Sequence, residues 1–326
     1  MPLFSSADFG WPGYDRYVVS AVEVTLYTDA ACPWAYSASP ALRVLEWRYR
    51  DQLSWRLVMI GLREDATELV ARGYDPTRAV GNLARFRERY GMPYDLVPKE
   101  RAAGTGLGCR AVVAARLIEP GSEWRVVRAL QLAQFTSGLL LDDAERIGDA
   151  LRTVPGIDAD AIVGRLDSPE VAEAYERDRE ESRRAAGTAA EAQGKTSASD
   201  GPVRFTAPSL VFGRGGQTLI AGGWQPLLAY DVLLANLDPT LNRTPAPPTP
   251  EPLFEYFADG LTTAEVALLL ADGPDPVADP DAAERALLDL AATGAIVRTP
   301  LGQDALWQSR GRMSAVHGSR AEAVVA

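Results

Sequence analysis

An alternating run, Val22-Glu23-Val24-Thr25-Leu26-Tyr27, gives way within five residues to Cys32-Pro33-Trp34-Ala35, and an amphipathic stretch over residues 37–50 follows. Alternation of apolar and polar residues reads as a β-strand, and the later spacing reads as a helix. The chain therefore has to turn from strand to helix at a single cysteine. A second strand pattern over residues 54–60 completes strand, helix, strand, which implies a parallel pair. A thiol at such a turn lies over the unpaired N–H groups at the start of the helix and the positive end of its dipole. Both favour thiolate over thiol, so the expectation is a reactive sulfur. Ala35 stands where a Cys-x-x-Cys pair would place its second thiol.

The rest of the chain reads as a helical block, a hairpin and a separate C-terminal unit. Helical periodicity holds from about residue 65 to 195, with Pro169 at a first helical position after Ser168. Residues 185–201 are rich in Ala, Gly and Ser and read as a loop. Strand character returns at 208–212 and 217–221 around Gly213-Arg214-Gly215-Gly216, a hairpin turn and not a phosphate loop, because no helix follows it. A helix is expected over 225–237. The proline-rich segment 238–252 reads as a semi-rigid spacer. Beyond it, helices over 253–257, 262–271 and 281–293 and a hairpin over 295–307 have the outline of a winged helix. Residues 1–20 read as an N-terminal extension and 309–326 as a disordered tail.

Composition narrows the chemistry. The formal net charge is −11 over 326 residues, which argues against nucleic acid and anionic membranes as partners. The C-terminal unit looks like a DNA-binding outline, yet from residue 241 onward it holds six Arg, no Lys and twelve Asp or Glu. A phosphate backbone is repelled by such a surface, so packing or a protein contact is the expected role. Cys32 and Cys109 are the only cysteines, too few for a disulfide framework, and fit a reducing, cytoplasmic setting. The first sixteen residues carry no secretory pattern, and no apolar stretch reaches membrane-spanning length. His317 is the single histidine, so neither a His-based triad nor a His/Cys metal site is expected.

A second element joins Cys32. Phe205-Thr206-Ala207-Pro208-Ser209-Leu210-Val211-Phe212 opens the late strand on a proline, and Gly222-Gly223-Trp224-Gln225-Pro226 turns into the last helix of the hairpin unit. With Cys32-Pro33-Trp34 and the helical insertion, residues 22–237 resemble the DsbA-like branch of the thioredoxin-fold oxidoreductases, and also the related 2-hydroxychromene-2-carboxylate isomerase and kappa glutathione transferase group. The resemblance implies an α/β thioredoxin-like fold with a large all-helical insertion. It also implies a cis Pro208 lying against Cys32, with Thr206 and Ala207 as a substrate-binding loop, and thiol–disulfide chemistry at Cys32. A proline there has no N–H, which leaves the backbone of Ala207 to pair with an extended substrate.

Ala35 departs from the family pattern and removes the local resolving thiol. The expected activity is therefore a monothiol oxidoreductase, with an external low-molecular-weight thiol such as mycothiol or glutathione as cosubstrate and no tightly bound cofactor. Isomerase or thiol-transferase chemistry on a small aromatic electrophile is a second reading, to which Tyr36-Ser37 lends comparison, and a non-catalytic protein-binding scaffold is a third. Trp34 is either a substrate platform or a cover for the turn. Cys109 is either a small packed residue or a distant resolving thiol. Arg85, Arg87 and Arg89 alternate around a helix and read as solvated positions, not an anion site.

Overall fold

The computed structural model describes residues 21–199 and 201–311; the expected extension, most of the expected tail and His317 lie outside them. It begins with β1 (Val22–Thr28), α1 (Pro33–Ser37), α2 (Ser39–Tyr49) and β2 (Leu53–Met59). The helix expected over 37–50 starts earlier, at Pro33, and is divided at Ala38. Pro40 has no N–H to donate back into the preceding turn, so the chain starts a second helix there.

The helical block contains α3 (Thr67–Ala71), α4 (Pro76–Tyr90), α5 (Gly106–Ile118), α6 (Glu123–Thr136), α7 (Ala144–Arg152), α8 (Ala159–Val163), α9 (Pro169–Ser182) and α10 (Ala189–Ala192). Its boundaries follow local chemistry. The Asp75 carboxylate accepts from the N–H groups of Thr77 and Arg78 ahead of Pro76, and Gly91 closes α4 at φ 75°. Ser168 caps α9 through the Val171 N–H. The stretch expected as a loop over 185–201 instead holds α10 and β3 (Thr196–Ser197), because β3 finds a partner in β4 (Arg204–Phe205). Local composition could not announce that pairing.

Next come β5 (Ser209–Arg214), β6 (Gln217–Ala221) and α11 (Leu227–Leu237). The β5–β6 connection is Gly215-Gly216, both at positive φ (56° and 83°), the conformation a two-residue hairpin turn requires. The main sheet has the order β2-β1-β5-β6. β1 and β2 are parallel, with Leu26 opposite Leu57; β5 is antiparallel to both β1 and β6. Val22, Val24, Leu26, Leu57 and Met59 are buried in the main core with α2 and α5. Tyr27, Val58 and Ile60 pack with Cys32 and Phe205 in a second cluster.

The chain ends in α12 (Glu251–Tyr256), β7 (Leu261–Thr262), α13 (Thr263–Leu270), α14 (Pro280–Ala292), β8 (Ile296–Leu301) and β9 (Asp304–Ser309), with the three strands in the order β7-β9-β8. Thr262 and Glu265 form a reciprocal capping box on α13. The proline-rich segment is fastened to α2: Trp47 Nε1 donates to the Pro245 carbonyl at 2.8 Å, and Thr244 N donates to the Arg48 carbonyl at 2.8 Å. Arg128 of α6 donates to both oxygens of the buried Glu265 and to the Gly260 carbonyl, and Ser39 of α2 donates to the same carboxylate. A buried carboxylate with that many donors ties the C-terminal unit to the sheet-bearing body.

Candidate active site

Cys32 is the N-cap of α1, at the carboxyl end of β1, with extended backbone (φ −83°, ψ 113°). Its own N–H donates to the Asp29 carbonyl at 3.3 Å, and its carbonyl accepts from Tyr36 N at 3.0 Å, which closes the turn. The Ala207–Pro208 peptide bond is cis. The Ala207 carbonyl lies 3.2 Å from Cys32 Sγ, and the thiol donates to it. The loop is held on both sides. Thr206 Oγ1 donates to the Lys195 carbonyl at 2.8 Å, and Ser209 Oγ donates to the Thr206 carbonyl at 2.6 Å while accepting from Gly223 N. Phe205 stacks on Tyr27 at 4.4 Å. The strand-to-helix cysteine and the proline loop, 175 residues apart in the chain, thus meet.

The electrostatics correct the expectation of a thiolate. Cys32 is 4 % exposed. Burial pushes its thiol up to about 12; the backbone N–H groups of Ala35 and Trp34 pull the other way, and the charge of Asp29 adds to the rise. The helix that was to favour the thiolate is only five residues long, so its dipole is small, and the loss of water outweighs it.

A run of aromatic rings starts at Trp34, two residues after Cys32. Trp34 is 44 % exposed and packs edge-on against Phe86 (4.9 Å) and Tyr90 (5.8 Å) of α4. Tyr90 continues to Trp224 at 5.0 Å. Tyr90 Oη and Trp224 Nε1 are buried without a hydrogen-bond partner among the described residues. From below, Tyr94 Oη donates to the Pro33 carbonyl at 3.1 Å and shares a 2.8 Å bond with Ser37 Oγ. Pro33 and Ala35 are therefore fixed parts of the turn; Ala35 itself is buried.

Cys109 starts its course in α5 fully buried, and its Sγ donates to Asp29 Oδ2 at 3.5 Å. Asp29 is the residue that sequence reasoning missed. Its Oδ1 accepts from Ala31 N, and its Oδ2 accepts from Leu62 N and Thr105 Oγ1 as well as from Cys109. These donors satisfy a buried carboxylate three residues before Cys32 and lock the turn to the segment after β2 and to the start of α5. A lone acid at the end of an apolar strand was the available signal. Phe86, Tyr90 and Trp224 carried only a core-like helical pattern and a turn. Burial pushes the Cys109 thiol up as well, with Asp29 adding to the effect.

Residues 23–188 match the profile of the DSBA-like thioredoxin domain. The chain belongs to that family. The proline loop lies beyond the matched segment and joins the site through the fold alone. Among solved structures, a candidate protein disulfide isomerase from Nitrosomonas europaea is 17 % identical, with a TM-score of 0.51 over 67 % of this chain and 97 % of that one. A candidate DsbA oxidoreductase from Streptomyces coelicolor is 19 % identical, with a TM-score of 0.50 over 69 % and 92 %. A 2-hydroxychromene-2-carboxylate isomerase is 17 % identical, with a TM-score of 0.42 over 66 % and 95 %. The first two of these likenesses establish the thioredoxin-like DsbA fold. No curated protein is significantly similar in sequence.

Proposed function

We propose that this family member is a thiol–disulfide oxidoreductase that works through Cys32 alone, with an external low-molecular-weight thiol, mycothiol or glutathione, in a reducing compartment. The observation that carries the reading is the contact between Cys32 Sγ and the Ala207 carbonyl ahead of cis-Pro208, with Ala35 in the resolving position. An extended substrate that donates to the Ala207 carbonyl takes over the hydrogen bond now made by the thiol. The Cys32 thiolate then attacks one sulfur of a mixed disulfide. A protein–substrate disulfide forms, the other sulfur leaves as a thiolate, and an external thiolate attacks the new bond to regenerate Cys32 and release a disulfide. Net, one external thiol is oxidised with one half of the substrate, and the other half is released reduced.

The test is thiol-dependent reduction of a glutathionylated peptide. Cys32→Ser is expected to abolish turnover while Cys109→Ser retains it. Turnover in the Cys32→Ser protein refutes the proposal. A second reading, a non-catalytic scaffold, is favoured by the burial of Cys32 and its raised pKa. It predicts no turnover in the unmodified protein at any pH up to 10. In either case the acidic C-terminal unit, proposed as winged-helix-like, serves protein contact and not nucleic acid.

A further inference from the structure

A guanidinium stands unused beside the Cys32 turn. Gly61, at φ 63°, turns the chain out of β2. Leu62 N then donates to Asp29 Oδ2 at 2.8 Å, and Ala31 N donates to Oδ1 of the same carboxylate at 2.8 Å. Two backbone segments tied to one side chain run close together, and Arg63 comes to stand near Ala31. The Arg63 carbonyl accepts from Thr105 N at 2.7 Å and from Thr105 Oγ1 at 3.1 Å, which fixes its backbone. Arg63 and Ala31 line a common cavity of about 70 Å³, together with Tyr74 and Gln134. A cavity that holds one water needs about 10–15 Å³, so this one has room for a carboxylate.

Three cations and no acid line the cavity. Two of the cations are engaged. Lys99 Nζ donates to the Ser137 and Leu139 carbonyls at 2.6 and 2.8 Å, and Arg101 pairs with Asp142 at 2.6 Å. The half-buried Arg63 side chain has neither a hydrogen bond nor an ion pair among the described residues, and its Nε is buried. A buried donor without an acceptor is costly unless a ligand supplies one. A planar guanidinium matches a carboxylate, to which it gives two parallel hydrogen bonds. The sulfur is close by. Ala31 precedes Cys32, and consecutive Cα atoms are about 3.8 Å apart. Burial governs the acidity of Cys32, and Arg63 is among the weaker influences that oppose it, so its field reaches the sulfur.

We infer that Arg63 is a specificity-determining residue of the Cys32 site, where it binds a carboxylate of the thiol or disulfide that reacts there. The external thiol is then an anionic one of the glutathione kind and not the uncharged mycothiol. The inference rests on the thiol chemistry proposed above and names the substrate class of the same site. The net charge of −11 works against anionic substrates, so a preference for them has to come from a local cation.

The test is reaction of the reduced full chain with 3,3′-dithiodipropionate and with its diamide, which has the same length and no charge. In both reactions the Cys32 thiolate attacks one sulfur and the other half leaves as a thiolate; mass spectrometry follows the mixed disulfide at Cys32. Each rate is divided by that of free 2-mercaptoethanol with the same disulfide. On that scale the acid is expected to react at least tenfold faster than the diamide. Arg63→Gln is expected to bring the ratio to about one, and Arg63→Lys, which keeps the charge, to restore part of it. Should Arg63→Gln fail to fold by circular dichroism, the acid–diamide ratio of the unaltered protein decides alone. A ratio near one in the unaltered protein, or an unchanged ratio in Arg63→Gln, overturns this inference and leaves the thiol chemistry standing. No exchange at Cys32 with either disulfide overturns the thiol chemistry and this inference with it.

Discussion

Burial makes Cys32 a slow nucleophile at neutral pH, and the size of the effect follows from its surroundings. A thiol whose ordinary value of 9.0 is pushed up to about 12 holds its thiolate about 4 kcal/mol less favourably than an exposed one. At pH 7, about one Cys32 in 10⁵ is ionised, against about one in 100 at the ordinary value, a deficit of about 1,000-fold. A more basic thiolate is also a better nucleophile; with a Brønsted coefficient of about 0.45, that recovers about 20-fold. The net expectation is exchange about 50-fold slower than for a free thiol, before any loss from limited access. The pH profile separates ionisation from access. The assay is exchange of the reduced protein with 4,4′-dithiodipyridine under pseudo-first-order conditions, with Cys32→Ser to subtract Cys109. The rate constant is expected to climb about tenfold per pH unit from pH 7 to 10 without levelling. A plateau below pH 8 refutes the reasoning, because it requires a thiolate stabilised by the turn despite its burial.

Three further outcomes follow from named contacts. Ala35→Cys restores a second thiol at the turn and is expected to give a protein that oxidises to an internal disulfide and reduces insulin through it; mass spectrometry after alkylation checks this. Asp29→Asn exchanges an acceptor-only carboxylate for an amide whose N–H groups face the donors of Leu62, Thr105 and Cys109. It is expected to cost about 1–3 kcal/mol in urea unfolding and to lower the Cys32 titration midpoint by removing a negative neighbour. Burial raises the Glu265 carboxyl, but the Arg128 charge and hydrogen bonds more than offset it and bring the group to about 2. The unfolded chain therefore binds the extra proton first, and stability falls as pH drops from about 4.5 towards 2. Glu265→Gln is expected to remove that acid slope and to destabilise the chain by about 3–5 kcal/mol in the same measurement near pH 7.

The frame of the fold is legible in the linear pattern. Alternation over β1 and β2, the Pro and Ser punctuation of α9 and the double-glycine turn of the β5–β6 hairpin are local signals, and local signals are what a linear chain displays. The cysteine at the strand-to-helix turn and the proline ahead of β5 were legible for the same reason, and the resemblance they carry implied that the two meet. What the thiol experiences follows from long-range packing. Whether Cys32 is a thiolate depends on how much water reaches it. That is set by the Ala207 carbonyl and by Val58, Ile60, Ala185 and Phe205 packed around the thiol, which come from segments distant in sequence. The role of Asp29 emerged only when Leu62, Thr105 and Cys109 converged on its two oxygens. The β3–β4 pair and the fastening of the proline-rich segment to α2 are likewise long-range hydrogen bonds, invisible to composition. The half-motif at Cys32-Pro33-Trp34-Ala35 named the chemistry to expect, and packing around it set the thiol's acidity, because solvation is a property of the surroundings and not of the residue.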